Sequence, residues 1–159
     1  MMLIKSLVVI FVVMVSCIGS PTWNAWGTVY EARLSKGQTI YVPVYSNVYS
    51  GAKKNPLQLA ATLSIRSVDP VYALKVTAID YYDNDGKLVR KFLTFPITLA
   101  PFATHHVYIE EKDTKGGFGA NFIVRWNSDR VINAPIVECV MIGSGQGISF
   151  ISSGQELRE

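Results

Sequence analysis

Histidine and cysteine are scarce in this sequence, with two of each among 159 residues. A Ser–His–Asp or Cys–His arrangement has little to be built from, and no pair of carboxylates stands at a spacing that marks a general acid and base. Charge is also scarce, at 17%. The 15 basic residues are scattered, with no cluster longer than Lys53-Lys54, whereas a nucleic-acid footprint gathers them on one face or along one helix. Nucleic acid is therefore not an expected partner, and a net charge of +3 nominates no other. Three further features are missing: helical periodicity, the Cys…Trp…Cys spacing of antibody domains, and any apolar run of the about 20 residues that a membrane-spanning helix needs.

What the chain does have is apolar content of 49%. At this length a single domain buries roughly 68–70% of its unfolded surface and needs no metal or disulfide staple. Residues 1–16 read as an export signal: Lys5 supplies the positive start, and residues 7–15 are an unbroken apolar run of signal-peptide length. Met14-Val15-Ser16-Cys17 follows directly and resembles a lipobox, in which a small residue precedes a cysteine that is lipidated and becomes the new N-terminus. The alternative is ordinary cleavage after Ala25-Trp26-Gly27, giving a chain that starts near Thr28. Either way the domain is expected to work outside the cytoplasm. With Cys17 lipidated, Cys139 is the only thiol left and an intradomain disulfide is excluded. The expected organisation is a signal at 1–16, an anchor tether and first strand at 17–36, a β-sandwich at 37–153 and a fraying polar tail at 154–159.

Residues 59–66 alternate strictly, with Leu59, Ala61, Leu63 and Ile65 on one parity and Ala60, Thr62, Ser64 and Arg66 on the other. That pattern marks a strand with one face buried and one in water. Asp69-Pro70 interrupts it, Leu74, Val76 and Ala78 start a second strand, and Asn84-Asp85-Gly86 signals a hairpin returning as residues 87–92. These three stretches are expected to form one antiparallel meander. Further strands are expected at 28–34, 38–45, 105–111, 120–126, 136–142 and 148–152, with 46–56 as a long exposed loop. Pro43 points to an edge position or a bulge. Short strands with turn signals every 8–12 residues predict an all-β fold, an antiparallel two-layer β-sandwich of immunoglobulin-like architecture, with Leu63, Ile65, Val76, Phe122, Val124 and Trp126 in its core.

The runs at 40–45 (IYVPVY), 59–66 (LAATLSIR), 80–90 (DYYDNDGKLVR), 119–126 (GANFIVRW) and 141–150 (MIGSGQGISF) resemble, in order, the bacterial domain-of-unknown-function family 3124. The resemblance spans most of residues 37–153. It implies export or lipoprotein signals and supplies no catalytic residues.

Asp83-Asn84-Asp85-Gly86 resembles a fragment of a calcium loop, but Tyr81 and Phe92 stand where further ligands belong, and a hairpin turn explains it. His105 and His106 are adjacent on a strand and so point to opposite faces. Together with Cys139 and Met141 they form an incomplete copper set, since no histidine follows the cysteine. Cys139 shares a parity with Val137 and reads as a buried, inert thiol. The glycine runs at 116–119 and 143–147 lead into strands, not into the helix a phosphate cradle opens. Exposed aromatics remain. Tyr41 and Tyr45 share an outward parity, Tyr49 follows in the next loop, and Tyr82 stands beside the Asp85 turn. These four are the expected partner-binding residues, offering contact area at low entropy cost. The favoured reading is a non-enzymatic, lipid-anchored envelope domain, membrane-attached through Cys17, that binds a protein or polysaccharide without a cofactor. The alternative is a metal-handling periplasmic domain using Asp83, Asp85, His105 or Cys139.

Overall fold

Alternation along residues 38–45 becomes the first strand of a computed structural model that describes residues 33–145 and 147–158. Ile40 and Val42 turn inward and are buried, while Tyr41 and Pro43 lie on the other face, half-buried. The described residues form β1 (Leu34–Pro43), β2 (Asn47–Ser50), β3 (Asn55–Gln58), β4 (Ala60–Arg66), β5 (Leu74–Tyr82) and β6 (Leu88–Lys91). They continue with β7 (Ile97–Leu99), β8 (Thr104–Ile109), β9 (Asn121–Asn133), β10 (Ile136–Gly143), β11 (Ile148–Ser153) and β12 (Gln155–Leu157).

One sheet has the order β12-β1-β9-β5-β6, with β7 also paired to β5; the second has the order β11-β10-β4-β8; β2 and β3 form a separate hairpin. Every ladder is antiparallel. The inner face of the first sheet is built in rows: Gln38–Trp126–Val76, then Ile40–Val124–Ile79, then Val42–Phe122–Tyr81. Facing it are Val137–Ile65–His105, Cys139–Leu63–Val107 and Met141–Ala61–Ile109. These rows meet in one hydrophobic cluster that holds all six expected core residues. Each fully buried aliphatic or aromatic side chain contributes about 1.5–3 kcal/mol, so this interlayer contact dominates the stability. The expected all-β, antiparallel, two-layer architecture is present. Only that two-layer arrangement ties it to immunoglobulin domains.

Several elements differ from the sequence reading. The stretch 59–92 is not one meander: β4 lies in the second sheet between β10 and β8, and β5 and β6 lie in the first. The connector 67–73 is an arch between layers, and Asp69 fixes it. Its carboxylate accepts the amides of Val71 and Tyr72 at 2.9 and 2.8 Å, and the amide and side-chain nitrogen of Asn133 at 3.0 and 3.2 Å. Within β5 a bulge between Val76 and Ala78 resets the alternation, so Ile79 and Tyr81 face the core and Ala78 does not. Residues 46–56 hold the β2–β3 hairpin instead of a loop. The tail at 154–159 does not fray throughout, because β12 pairs with β1 and Glu156 meets Arg33 at 3.1 Å. Backbone pairing, which side-chain polarity does not report, accounts for both: β2 with β3 in a separate hairpin, and β12 along the open edge of β1. Pro43 is the last paired residue of β1, where β12 no longer runs alongside. Most of the strand expected at 28–34 lies outside the described residues.

The amides of Tyr72, Asn133 and Val71 hold the Asp69 carboxyl below its ordinary value of 3.8, against the opposing pull of burial. A depressed carboxylate pKa contributes stability above the unfolded value, and that contribution is lost as pH falls through the folded value. We therefore expect the arch to weaken progressively below about pH 4. Stability measured by urea unfolding from about pH 6 to about pH 2 should fall more steeply in wild type than in Asp69→Asn. Equal slopes would remove Asp69 from the acid response.

Candidate functional site

Beyond the ends of β1, β5, β8 and β10, four connections come together at one end of the sandwich. The amide of Val44 donates to the carbonyl of Ala120 at 2.9 Å, and that of Ser46 to the carbonyl of Gly117 at 3.0 Å. Asn84 in the β5–β6 turn donates its amide to the carbonyl of Gly116 at 3.1 Å. Two side-chain contacts add to this: Arg90 meets Asp113 at 3.1 Å, and the Ser144 hydroxyl donates to Glu111 at 2.6 Å. The connector 110–120 is thus fastened to β1, β6 and both neighbouring turns.

Glycine makes this close packing possible at two positions. A Cβ on Gly116 would collide with the Tyr81 hydroxyl and come within 2.7 Å of the Ala120 Cβ. Gly117 has φ +72° and would collide with Asn84 if it carried a side chain. Beneath them, the Tyr81 and Ser46 hydroxyls share a buried hydrogen bond of 2.9 Å, and burial holds the Tyr81 phenol above its ordinary value of 10.0. Tyr81→Phe leaves the Ser46 hydroxyl without that partner, so a loss of about 1–3 kcal/mol is expected on urea unfolding. A neutral result would mean that the hydroxyl pair does not hold this end together.

The pinned connector presents Phe118 to the residues after β1. Tyr45 meets Phe118 edge-on, with ring centroids 5.3 Å apart at 74°, and Tyr49 of β2 lies 6.0 Å from Phe118 at 33°. Tyr45 also packs on Phe150 of β11 at 5.6 Å. Exposure is graded across the group: Tyr45 and Phe150 are half-buried, whereas Tyr49 and Phe118 are 59% and 50% exposed. Two rings seat the cluster and two face outward. Next to them the tip of the β2–β3 hairpin carries exposed Lys53 and Lys54, with Gly51 at φ 70° allowing the turn. The arrangement is an apolar, polarizable surface on loops held by a rigid scaffold, with basic groups at its margin. Loops held on a rigid scaffold are where contact residues concentrate, and among these described side chains none pairs a nucleophile with a base.

Residues 37–157 match the family described as "Protein of unknown function (DUF3124)". The chain belongs to that family. No curated protein matches it. A crystal structure titled for Thermotoga maritima 1070 aligns over 74% of this chain and 92% of its own, with 12% identity and a TM-score of 0.44.

The expected site residues of this DUF3124 chain fall into two groups. Tyr45 and Tyr49 are in the aromatic cluster. Tyr41 and Tyr82 lie elsewhere, half-buried on the outer face of the first sheet, where Tyr41 pairs with Ile123 and Tyr82 with Asn121. Cys17 lies outside the described residues. The sequence reading missed Phe118 and Phe150, although a lone aromatic among Gly116, Gly117 and Gly119 is a signal that a ring is being displayed on a turn.

The residues of the metal-handling alternative are dispersed across the DUF3124 fold. Asp83 accepts the amides of Asp85 and Lys87 at 3.0 and 2.9 Å, which makes it the organiser of the β5–β6 turn, with Gly86 at φ 75°. His105 pairs with Ile65 and His106 with Ser64, on opposite faces of β8. Burial, and secondarily the neighbouring His106, lower the His105 pKa. Cys139 is fully buried in the core, and burial pushes its thiol up to about 12, where a thiolate does not form near neutrality. Among the described residues no group of three or more His, Cys, Asp or Glu is placed to hold a metal ion.

Proposed function

We propose that this DUF3124 protein is an exported, lipid-anchored domain of the cell envelope that binds a protein or polysaccharide partner and catalyses no reaction. The observation that carries the binding role is the exposed Tyr49–Phe118 pair seated on Tyr45 and Phe150. Aromatic rings of this kind supply large contact area with few rotors to immobilise, and such residues carry a disproportionate share of binding energy. The anchor role is supported by residues 7–15, which lead directly into Met14-Val15-Ser16-Cys17. A diacylglyceryl group on Cys17 would supply two buried chains, and stable attachment generally takes more than one.

The test is a photo-crosslinking residue at position 49, introduced into the protein in its native envelope. A discrete adduct is expected, weakened at least about tenfold by Phe118→Ser, the change that loss of a moderate hot spot produces. Protease or glycan-cleaving treatment of the adduct then assigns its chemistry. No adduct from position 49, with a strong one from Ile142 on the outer face of the second sheet, would contradict the reading.

A further inference from the structure

The opposite end of the sandwich, where the described chain begins at Arg33, is apolar in a different manner. Five exposed side chains come from four segments there: Leu34 at the start of β1, Val71 and Tyr72 in the arch, Phe102 after β7 and Val131 near the end of β9. Leu34, Val71 and Phe102 are 67%, 66% and 70% exposed. Backbone contacts tie these segments together. The amide of Ala134 donates to the carbonyl of Arg33 at 2.8 Å, and that of Ser67 to the carbonyl of Ala103 at 2.9 Å. Ser128 donates its hydroxyl to the carbonyl of Ala73 at 3.2 Å, and Asp69 joins the arch to Asn133. The display is therefore preformed.

Phe102 is the most telling of the five. Its φ is 61°, in the left-handed region that a residue with a Cβ enters at a cost. The turn is closed by the Ala103 amide donating to the carbonyl of Ala100 at 3.0 Å. A core-forming phenylalanine would recover that cost by burial, yet this ring stays in solvent. At the same end, the Arg130 guanidinium sits 5.6 Å from the centre of the Tyr72 ring. Lys36, Arg130 and Asp129 are exposed at this end, and the Asp69 carboxylate is held in the arch. Exposed aliphatic and aromatic side chains with Lys and Arg near them are a composition that settles at a bilayer's headgroup level.

We propose that this end of the sandwich rests on the surface of a phospholipid bilayer, an inference that builds on the anchor reading above. The segment joining Cys17 to Arg33 is covalently attached to the described domain at this end. Fully extended it reaches at most about 55 Å, and a tether of that length keeps its two ends at an effective concentration near millimolar. A patch of weak intrinsic affinity is then enough to orient the domain. In that orientation Tyr49 and Phe118, at the far end, point away from the membrane.

The test uses the full chain with Phe102→Cys carrying an environment-sensitive fluorophore. Cys139 is fully buried and escapes the label, and a lipidated Cys17 has no free thiol. On vesicles of phosphatidylcholine and phosphatidylglycerol, the label at 102 should shift to the blue and lose most of its emission to nitroxide lipids. A label at Tyr49→Cys should do neither. A second arm uses Cys17→Ser in the same labelled chain with vesicles at millimolar lipid, so that the surface is judged even if wild-type protein carries no lipid. A blue shift at 102 in that arm supports docking without the anchor. Lipidated protein that stays on vesicles while position 102 remains as solvent-exposed as position 49 overturns the proposal and leaves the anchor intact. A label at 102 that becomes shielded with rising protein concentration and no vesicles also overturns it, by assigning this end to a second copy.

Discussion

Trp126→Ala is expected to lower the stability of the domain by about 3–5 kcal/mol, the range for removing a buried aromatic side chain. Trp126 is 2% exposed and occupies the middle of the row that joins β1, β9 and β5. Its indole nitrogen donates to the Gln38 side-chain oxygen at 3.2 Å, so truncation also strips a partner from β1. The ring cannot be replaced by collapse of its neighbours, because Gln38 and Val76 are held by ladders on either side. Trp126→Phe keeps most of the volume and should lose distinctly less. Urea unfolding measures both, with an unchanged m-value showing that the same surface is exposed on unfolding. A loss under about 1 kcal/mol for Trp126→Ala would mean that the two sheets do not enclose this ring.

The second large effect expected is on location. Cys17→Ser should move the protein from the membrane fraction to the soluble fraction while leaving its melting temperature unchanged. No core residue of the described fold is near Cys17 in sequence: the first buried hydrophobic residue is Ile40. Each buried methylene of an acyl chain contributes about 0.8 kcal/mol to membrane attachment, so losing two chains outweighs anything a weak protein patch supplies. Retention of Cys17→Ser on membranes washed with high salt would assign attachment to another part of the chain.

The core was legible in the sequence because strand alternation reports which side chains turn inward. Leu63, Ile65, Phe122, Val124 and Trp126 follow that rule directly. Alternation says nothing about which strand lies alongside, so β4 and β5 read as neighbours although they belong to different layers. The pairings that separate them, β4 with β10 and β8, and β5 with β9, join residues far apart in the chain. The β2–β3 hairpin was hidden for another reason: its strands have four residues each, and Pro56 sits in one of them. In β12 the polar sequence Gln155-Glu156-Leu157 disguised a strand that forms by pairing with β1, without burying its side chains. At the end that carries the aromatic cluster, parity singled out Tyr45, and nearness in sequence singled out Tyr49. The same parity grouped Tyr41 with Tyr45, and the two lie apart because the chain leaves β1 after Pro43 and carries Tyr45 toward Phe150. Phe118 and Phe150 join the site only through contacts between distant segments, which no local pattern encodes.

The roles proposed for both ends depend on the domain being carried outside the cytoplasm and held at a membrane. Intact mass combined with fractionation tests this most directly, using protein expressed with its own residues 1–16 in a lipoprotein-processing bacterium. The account predicts a membrane-bound chain that begins at Cys17 and carries the added mass of a diacylglyceryl cysteine. A soluble chain beginning near Thr28, with no lipid, would contradict it.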